Sequence, residues 1–253
     1  MNEIQSTKNT YIKELRKLHQ KKQREKEQKY LIEGFHLVEE AYLAGVTIQD
    51  NLMSQRGLRE WGDWFTARDL PVTVVSDEVM ASLSDLPTPQ GILAVVNRVA
   101  QPTPMTLQGK WLLLDGVQDP GNVGTMIRTA DAAGFTGVFL GQGSADSYSS
   151  KVLRSMQGSQ FHLQIHTGEI QEICQAFQAQ GIPVYGTELN EQAVPYQTVN
   201  KTENVALVLG NEGQGVSAEV LAITDQNLYI PIYGQAESLN VAVAAGIIMY
   251  HFS

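Results

Sequence analysis

Cysteine is almost absent from this chain of 253 residues. The single one, Cys174, excludes an internal disulfide framework and fits a reducing compartment. Its setting, "EICQAF", reads as an amphipathic helix in which the thiol is a buried packing group. Histidine is scarce too. His19, His36, His162, His166 and His251 are dispersed, and His162 and His166 flank a strand-like segment, so no metal site is expected. No G-x-x-x-x-G-K-[ST] stretch occurs, which excludes a P-loop. Long apolar runs are missing. The opening "MNEIQSTKNT" lacks the apolar centre of a secretory signal, and the apolar stretch at the other end is too short for a bilayer and contains Gly246. A cytoplasmic protein without membrane contact is the expectation.

Positive charge is also in deficit: 18 Lys and Arg stand against 27 Asp and Glu, a net −9, which by itself argues against nucleic acid. The distribution argues the other way. Lys8, Lys13, Arg16, Lys17, Lys21, Lys22, Arg24, Lys26 and Lys29 fall within 22 positions, half of all basic residues, opposed only by Glu14, Glu25 and Glu27. That segment carries +6 and the remainder −15. Such clustering is the footprint of a partner with a phosphate backbone; its plainer reading is a solvated helix face.

The chain is long enough for two ordinary domains. Pro102 and Pro104 break the stretch Arg98 to Lys110, which has a linker's composition. Before it, "YLIEG", "NLM", "VTVVS" and "GILAVVN" alternate with the amphipathic "HLVEEAYLAG", "LREWGDWFTARDL" and "DEVMASLSD", a small α/β domain. Trp61, Trp64 and Phe65 have the spacing of one packed helix face. After the linker, strands are expected at "KWLLLDGV", "GVFLG", "FHLQIH", "IPVYGT", "NVALVLG" and "LYIPI". Helices are expected near 122–134, 150–157, 169–180, 216–222 and 239–251. Apolar strands separated by helices predict a parallel sheet covered on both faces, with ligands beyond the carboxyl ends of its strands.

Three polar, glycine-rich loops fall at such ends: Asp115 to Phe135, Gly210 to Ser217 and Ile230 to Asn240. In the first, Pro120-Gly121 makes a turn and Asn122 reads as the N-cap of a helix that carries Arg128. Arg128 is suited either to clamping a phosphate or to pairing with Asp131. The second, "GNEGQGVS", holds G-x-G-x-x-A at Gly213, Gly215 and Ala218, which admits a dinucleotide reading, but no acid follows at the next strand end.

The stretches "DPGNVGTMIRTADAAGF", "LVLGNEGQGVS" and "IPIYGQAESLNVAVAAGIIMY" resemble, in order and spacing, the three motifs of the SpoU (TrmH-like) family of RNA ribose 2′-O-methyltransferases, within the SPOUT superfamily. The first block, with its basic start and "LIEGFHLVEEA", resembles that family's ribosomal-protein-like substrate domain. Departures are mild: Ile232 stands where methionine is frequent, Ala242 where serine is common, and His251 where an acid often follows.

The resemblance implies an α/β protein in two parts: an RNA substrate-binding domain over 1–100 and a methyltransferase domain with a trefoil knot over 108–253. It implies S-adenosyl-L-methionine as cofactor, held by Thr187, Leu189, Gly210, Asn211, Gly213, Ile230, Ile232, Ser238 and Leu239. Chemistry falls to Arg128, Asn122, Glu212, Ser238 and Asn240. Ser238 and Asn240 are expected both to cap the last helix and to face the reacting centre, and Asn122 to position the ribose. The family assigns proton removal to the arginine of the first motif; a guanidinium is a poor base, so an RNA phosphate or Glu212 is the alternative acceptor. Glu212 also reads as a structural acceptor of loop N–H groups. RNA, ribosomal in preference to transfer RNA, would meet Lys13, Lys17, Lys21, Lys22 and Arg24, and pairing through the second block would make a homodimer without metal. Two rival classes are a non-catalytic RNA-binding relative and an NAD-type enzyme using "GNEGQG".

Overall fold

The computed structural model describes residues 3–99, 102 and 104–253; Met1, Asn2 and part of the expected linker, Ala100, Gln101 and Thr103, lie outside the described residues. The chain forms two compact units: the residues up to 100 together with Tyr148–Phe161, and residues 101–147 together with His162–Ser253.

The first unit runs β1 (Glu3–Ile4), α1 (Thr10–Lys17), α2 (Lys21–Glu27), β2 (Lys29–Glu33), α3 (Phe35–Leu43), β3 (Ile48–Met53), α4 (Gln55–Thr66), β4 (Thr73–Val75), α5 (Asp77–Leu83) and β5 (Ile92–Asn97). Its strands form a mixed sheet in the order β1-β4-β3-β5-β2, in which β5 pairs antiparallel with β2 and β3. Asn9 caps α1 by accepting the Tyr11 N–H at 2.9 Å. Helix α1 is amphipathic because Ile12 and Leu15 face the core while Lys13, Arg16 and Lys17 face solvent. The core they enter holds Leu52, Val79, Leu83 and Val95. Trp61 and Trp64 do form a packed helix face: Trp61 stacks on Phe35 with centroids 4.2 Å apart, and Trp64 meets Phe35 edge-on at 5.4 Å.

Two expectations need correction here. Arg24 is not a solvent-facing phosphate contact. It is 5% exposed, and its Nη1 donates to the carbonyls of Leu18 (2.7 Å) and His19 (2.8 Å). A guanidinium turned inward satisfies carbonyls at the end of α1 that the helix itself leaves unpaired, and it is withdrawn from RNA. The helix expected near 150–157 exists as Ser150–Met156, but it belongs to the first unit and not to the second sheet. Its apolar side chains Val152, Leu153 and Met156 are buried, Tyr148 meets Tyr30 edge-on at 4.9 Å, and the Ser150 hydroxyl donates to Asp85.

The second unit continues β6 (Lys110–Asp115), α6 (Pro120–Ala132) and β7 (Gly137–Leu140) before that helix, α7, leaves for the first unit. It resumes with β8 (Gln164–Thr167), α8 (Ile170–Ala179), β9 (Val184–Thr187), β10 (Val194–Pro195), β11 (Val205–Gly210), α9 (Ala218–Leu221), β12 (Gln226–Tyr229) and α10 (Val241–Phe252). The order is β10-β12-β9-β11-β6-β7-β8 and every pairing is parallel. Alternation divides the central strands between two layers. Trp111 and Leu113 of β6 and Ala206 and Val208 of β11 join Cys174, Phe177 and Val220 in one core cluster. Complete burial of each large side chain there contributes roughly 1.5–3 kcal/mol. Leu112, Leu114, Leu207 and Leu209 alternate with them and are also fully buried. Cys174 is a packing thiol, its pKa pushed up to about 12, chiefly by burial. Helix α10 packs on α6 and β11, with Ala245 and Met249 wholly buried.

Candidate active site

Strands β12, β9, β11 and β6 are neighbours and parallel, so the loops that follow them emerge side by side at one end of the sheet. These loops are 230–240, 188–193, 211–217 and 116–119. This is the end at which parallel α/β sheets hold ligands.

The first and second loops are locked reciprocally. Asp115, ending β6, accepts the Ser217 N–H at 2.8 Å, and Asn211 donates from Nδ2 to the Gly116 carbonyl at 2.9 Å. In return, Glu212 accepts the N–H of Gln118 (3.1 Å) and of Asp119 (3.0 Å) and the Nδ2–H of Asn122 (3.0 Å). The third loop joins through Asn240, which donates from Nδ2 to Asn122 Oδ1 at 3.1 Å while its own Oδ1 accepts the N–H groups of Ala242 and Val243. Burial raises the Glu212 pKa, but the hydrogen bonds from Asn122, Asp119, its own N–H and Gln118 outweigh it and hold the carboxyl below its ordinary value of 4.5. With the folded value depressed, the contribution to stability is present above the ordinary carboxylate range and is lost as pH falls through the lowered value.

Asn122 therefore lies inside the helix and is not its N-cap. The cap is Asp119, whose Oδ1 accepts the Asn122 N–H at 2.8 Å, with Pro120 at the first helical position. Asn240 caps α10 as expected; the capping bonds are its own, and Ser238 stands exposed two residues earlier. Arg128 is exposed, six residues and so about 9 Å further along α6 than Asn122. The acid that the sequence offers it, Asp131, meets His162 instead, at 3.0 Å.

Among the other residues, Leu189, Ile232 and Leu239 are apolar yet 75%, 40% and 38% exposed on these loops, and Ile230 is half-buried beside them. The Thr187 hydroxyl donates to the Val208 carbonyl at 3.0 Å, which ties β9 to β11. Asn211 Oδ1 accepts the N–H of Gly213 (2.9 Å) and of Gln214 (3.2 Å), and Asn211 pairs main chain to main chain with Gly215. These two positions, Asn211 and Gly213, shape the loop. Gly210 is required there because a Cβ would lie 2.0 Å from the backbone of Gly215 and Val216.

The same closed turn removes the basis of a dinucleotide reading. The N–H groups of Gly213, Gln214 and Gly215 are all taken by Asn211, and α9 beyond them is a single turn, so no pyrophosphate cradle is formed. Sequence reasoning missed Asp115 and Asp119 as anchors. Their place at the carboxyl end of an apolar strand and just before Pro120-Gly121 was the available signal.

Residues 110–250 match the model of the SpoU rRNA methylase family, and residues 9–94 match that of the MRM3-like substrate binding domain. The chain belongs to the SpoU rRNA methylase family. It is 45% identical over 251 residues to the 23S rRNA (guanosine(2553)-2′-O)-methyltransferase RlmP of Bacillus subtilis (strain 168), with 99% of each chain covered. The AdoMet-bound rRNA methyltransferase from Sinorhizobium meliloti superposes with a TM-score of 0.86 at 31% identity over 99% of this chain and 96% of that one. AviRb of Streptomyces viridochromogenes, a SpoU methyltransferase in complex with AdoMet, gives a TM-score of 0.85 at 27% identity, covering 96% of each chain. Among the described residues no helix is long and apolar enough to cross a membrane, and no cluster of His, Cys, Asp and Glu could hold a metal ion.

Proposed function

We propose that the chain transfers a methyl group from S-adenosylmethionine to a ribose 2′-hydroxyl of 23S ribosomal RNA, at the guanosine equivalent to the RlmP target. The observation that carries the reading is the hydrogen-bonded clasp of Glu212, Asn122 and Asn240, which brings all three motif loops to one point at the sheet's carboxyl end. The full-length likeness to a ribose methyltransferase of known target supports it.

The residues present fit the cofactor. Exposed Leu189, Ile232 and Leu239, with Ile230, offer apolar surface of the kind that an adenine and a methionine chain cover, beside loop backbone able to read a base edge. Gly210 acts indirectly, by letting the second loop close on itself. When bound, S-adenosylmethionine supplies a methyl on a sulfonium whose sulfur keeps the bonding electron pair as the 2′-oxygen pair forms the new bond. The side chains orient the ribose and handle its proton. Arg128, exposed on α6, holds an RNA phosphate that receives the 2′ proton. Glu212 is a weak acceptor for that proton, because its carboxylate is already occupied by three hydrogen bonds from the first loop and α6. Ser238, exposed before the cap, is free to contact the ribose.

Residues 1–100, with Tyr148–Phe161 in the same unit, act as the substrate-binding domain and the rest of 108–253 as the catalytic one, working on RNA in the cytoplasm. The trefoil knot is supported by β11 lying between β6 and β9 and by α10 returning onto α6. A second copy of the chain covers the last helix, whose Val243 and Tyr250 are 52% and 55% exposed. The rival non-catalytic reading is disfavoured because Arg128 and the full clasp are retained.

The reading is tested by incubating the purified protein with 23S RNA lacking the modification and with methyl-labelled S-adenosylmethionine. Label is expected on one ribose at the stated guanosine; label on a base, or none on RNA, would overturn it. A second expectation concerns Lys13, Lys17, Lys21 and Lys22, all exposed on α1 and α2. Their joint reversal to glutamate is expected to weaken RNA binding by more than about tenfold and to flatten its salt dependence by roughly one unit of slope per lost phosphate contact. Cofactor affinity is expected to hold. Unchanged RNA affinity would leave this face a solvated surface only.

A further inference from the structure

The hydrogen bonds joining the three loops have a direction, and that direction is set from both ends. At one end the Glu212 carboxylate, ionised at neutral pH, can only accept, so Asn122 must turn Nδ2 toward it at 3.0 Å. At the other end the helix N–H groups of Ala242 and Val243 can only donate, so Asn240 must turn Oδ1 toward them at 2.9 and 3.3 Å. Asn122 Oδ1 and Asn240 Nδ2 then face each other as acceptor and donor at 3.1 Å. Flipping Asn122 alone would set like groups against each other in two of these contacts, and flipping Asn240 alone in three. The amide orientations, ordinarily ambiguous, are therefore determined by chemistry.

A carboxamide nitrogen carries two hydrogens. With one hydrogen of each committed, Asn122 and Asn240 each retain one N–H, on adjoining side chains at the mouth of the loops. Asn240 is exposed and Asn122 half-buried, so both remain open to a ligand. Their free groups are donors only, and the group that suits them is an oxygen that gains negative charge. We propose that the remaining N–H groups of Asn122 and Asn240 form a pre-oriented donor pair for the ribose 2′-oxygen, and that Glu212 is the positioning residue that sets their direction. This rests on the ribose-methylation reading above and extends it. Bonding from both amides stabilises the oxygen as its proton departs to the RNA phosphate, and no reorientation is needed at that moment. Glu212 acts through Asn122 and does not itself meet the substrate.

The experiment separates the donor role from capping. Aspartate caps a helix as well as asparagine does but has no N–H to give. Asn240→Asp also sets a carboxylate oxygen against Asn122 Oδ1 in place of the 3.1 Å bond, so its thermal midpoint is expected to fall by about as much as that of Asn122→Ala, which breaks the same bond. S-adenosylmethionine Kd is expected to hold within about threefold while kcat on RNA falls by about 10²-fold or more. Glu212→Gln, which keeps a carbonyl acceptor for Asn122, is expected to retain kcat within about tenfold and an unchanged pH profile. Glu212→Ala is expected to fall to the level of Asn122→Ala, with the double variant no worse than either. In the free protein, slow-exchanging side-chain amide resonances of Asn122 and Asn240 should be lost in Glu212→Ala, which reports the relay without any turnover. Wild-type kcat in Asn240→Asp, or loss of both activity and the acid limb of the pH profile in Glu212→Gln, would overturn the proposal. Intact amide resonances in a wild-type protein that methylates no RNA would instead overturn the ribose reading and the donor role that rests on it, leaving only the relay.

Discussion

Arg128→Ala is expected to reduce kcat on RNA by about 10²–10³-fold while S-adenosylmethionine still binds within about twofold of its normal Kd. The exposed position of Arg128 on α6 removes the usual reason for a mutant to fail, since replacing a solvent-facing helix residue by alanine shifts stability within about 0.5 kcal/mol. The exposed apolar surface of Leu189, Ile232 and Leu239, proposed above to take the cofactor, lies on other loops, so binding and chemistry should separate cleanly. Arg128→Lys is expected to recover little, because an ammonium cannot reproduce the planar two-point grip of a guanidinium on a phosphate. Single-turnover methyl transfer and calorimetric cofactor titration together decide the matter. Wild-type kcat in Arg128→Ala would remove this arginine from the reacting centre.

Gly210→Ala is expected to be nearly as damaging by a different route. The added Cβ would lie 2.0 Å from Gly215 C and from Val216 N, both backbone atoms of the turn that follows β11, so no side chain can move aside. The loop has to shift, and overpacking of this kind costs roughly 1–3 kcal/mol. The same shift would carry Glu212 away from Gln118, Asp119 and Asn122, so cofactor affinity should fall by more than about tenfold and methyl transfer should drop with it. Gly213→Ala and Gly234→Ala are the controls. A Cβ at Gly213 would meet only Asn211 Oδ1 at an ordinary 3.6 Å, and one at Gly234 would meet nothing within 4 Å. Thermal melts and cofactor titrations of the three variants should set Gly210 apart; equal behaviour would show that the turn is more plastic than its packing implies.

The strands were the most legible part of the chain. "KWLLLDGV" and "NVALVLG" are continuous apolar runs because both faces of a parallel strand are covered, and they appear as β6 and β11 at the centre of the sheet. The two-residue strands β1 and β10 were not foreseen, since so short an edge pairing leaves no periodicity to read. The helix Ser150–Met156 was found, but not its partner unit. An amphipathic stretch records that it buries a face, not which sheet receives it. Charge was the least reliable guide. Lys21, Lys22 and Arg24 are equivalent in a list of basic residues, yet Lys21 and Lys22 face solvent and Arg24 is buried against the carbonyls of Leu18 and His19.

The sequence alone determined the two-part α/β organisation, the family and the three loops at which chemistry was to be sought, because apolar runs, glycine turns and motif spacing are local properties of the chain. Only the tertiary structure decided what each polar residue in those loops does. Asp119 and not Asn122 caps α6, Asn211 closes a turn that a dinucleotide would need open, and Glu212 is occupied by N–H donors more than ninety positions away. Asn122 and Asn240 stand 118 positions apart in the chain and share one hydrogen bond. A donor or acceptor carries no mark of its partner in sequence; the partner is chosen when parallel strands bring their carboxyl ends together, and the direction of each hydrogen bond follows from which neighbour can only give and which can only accept.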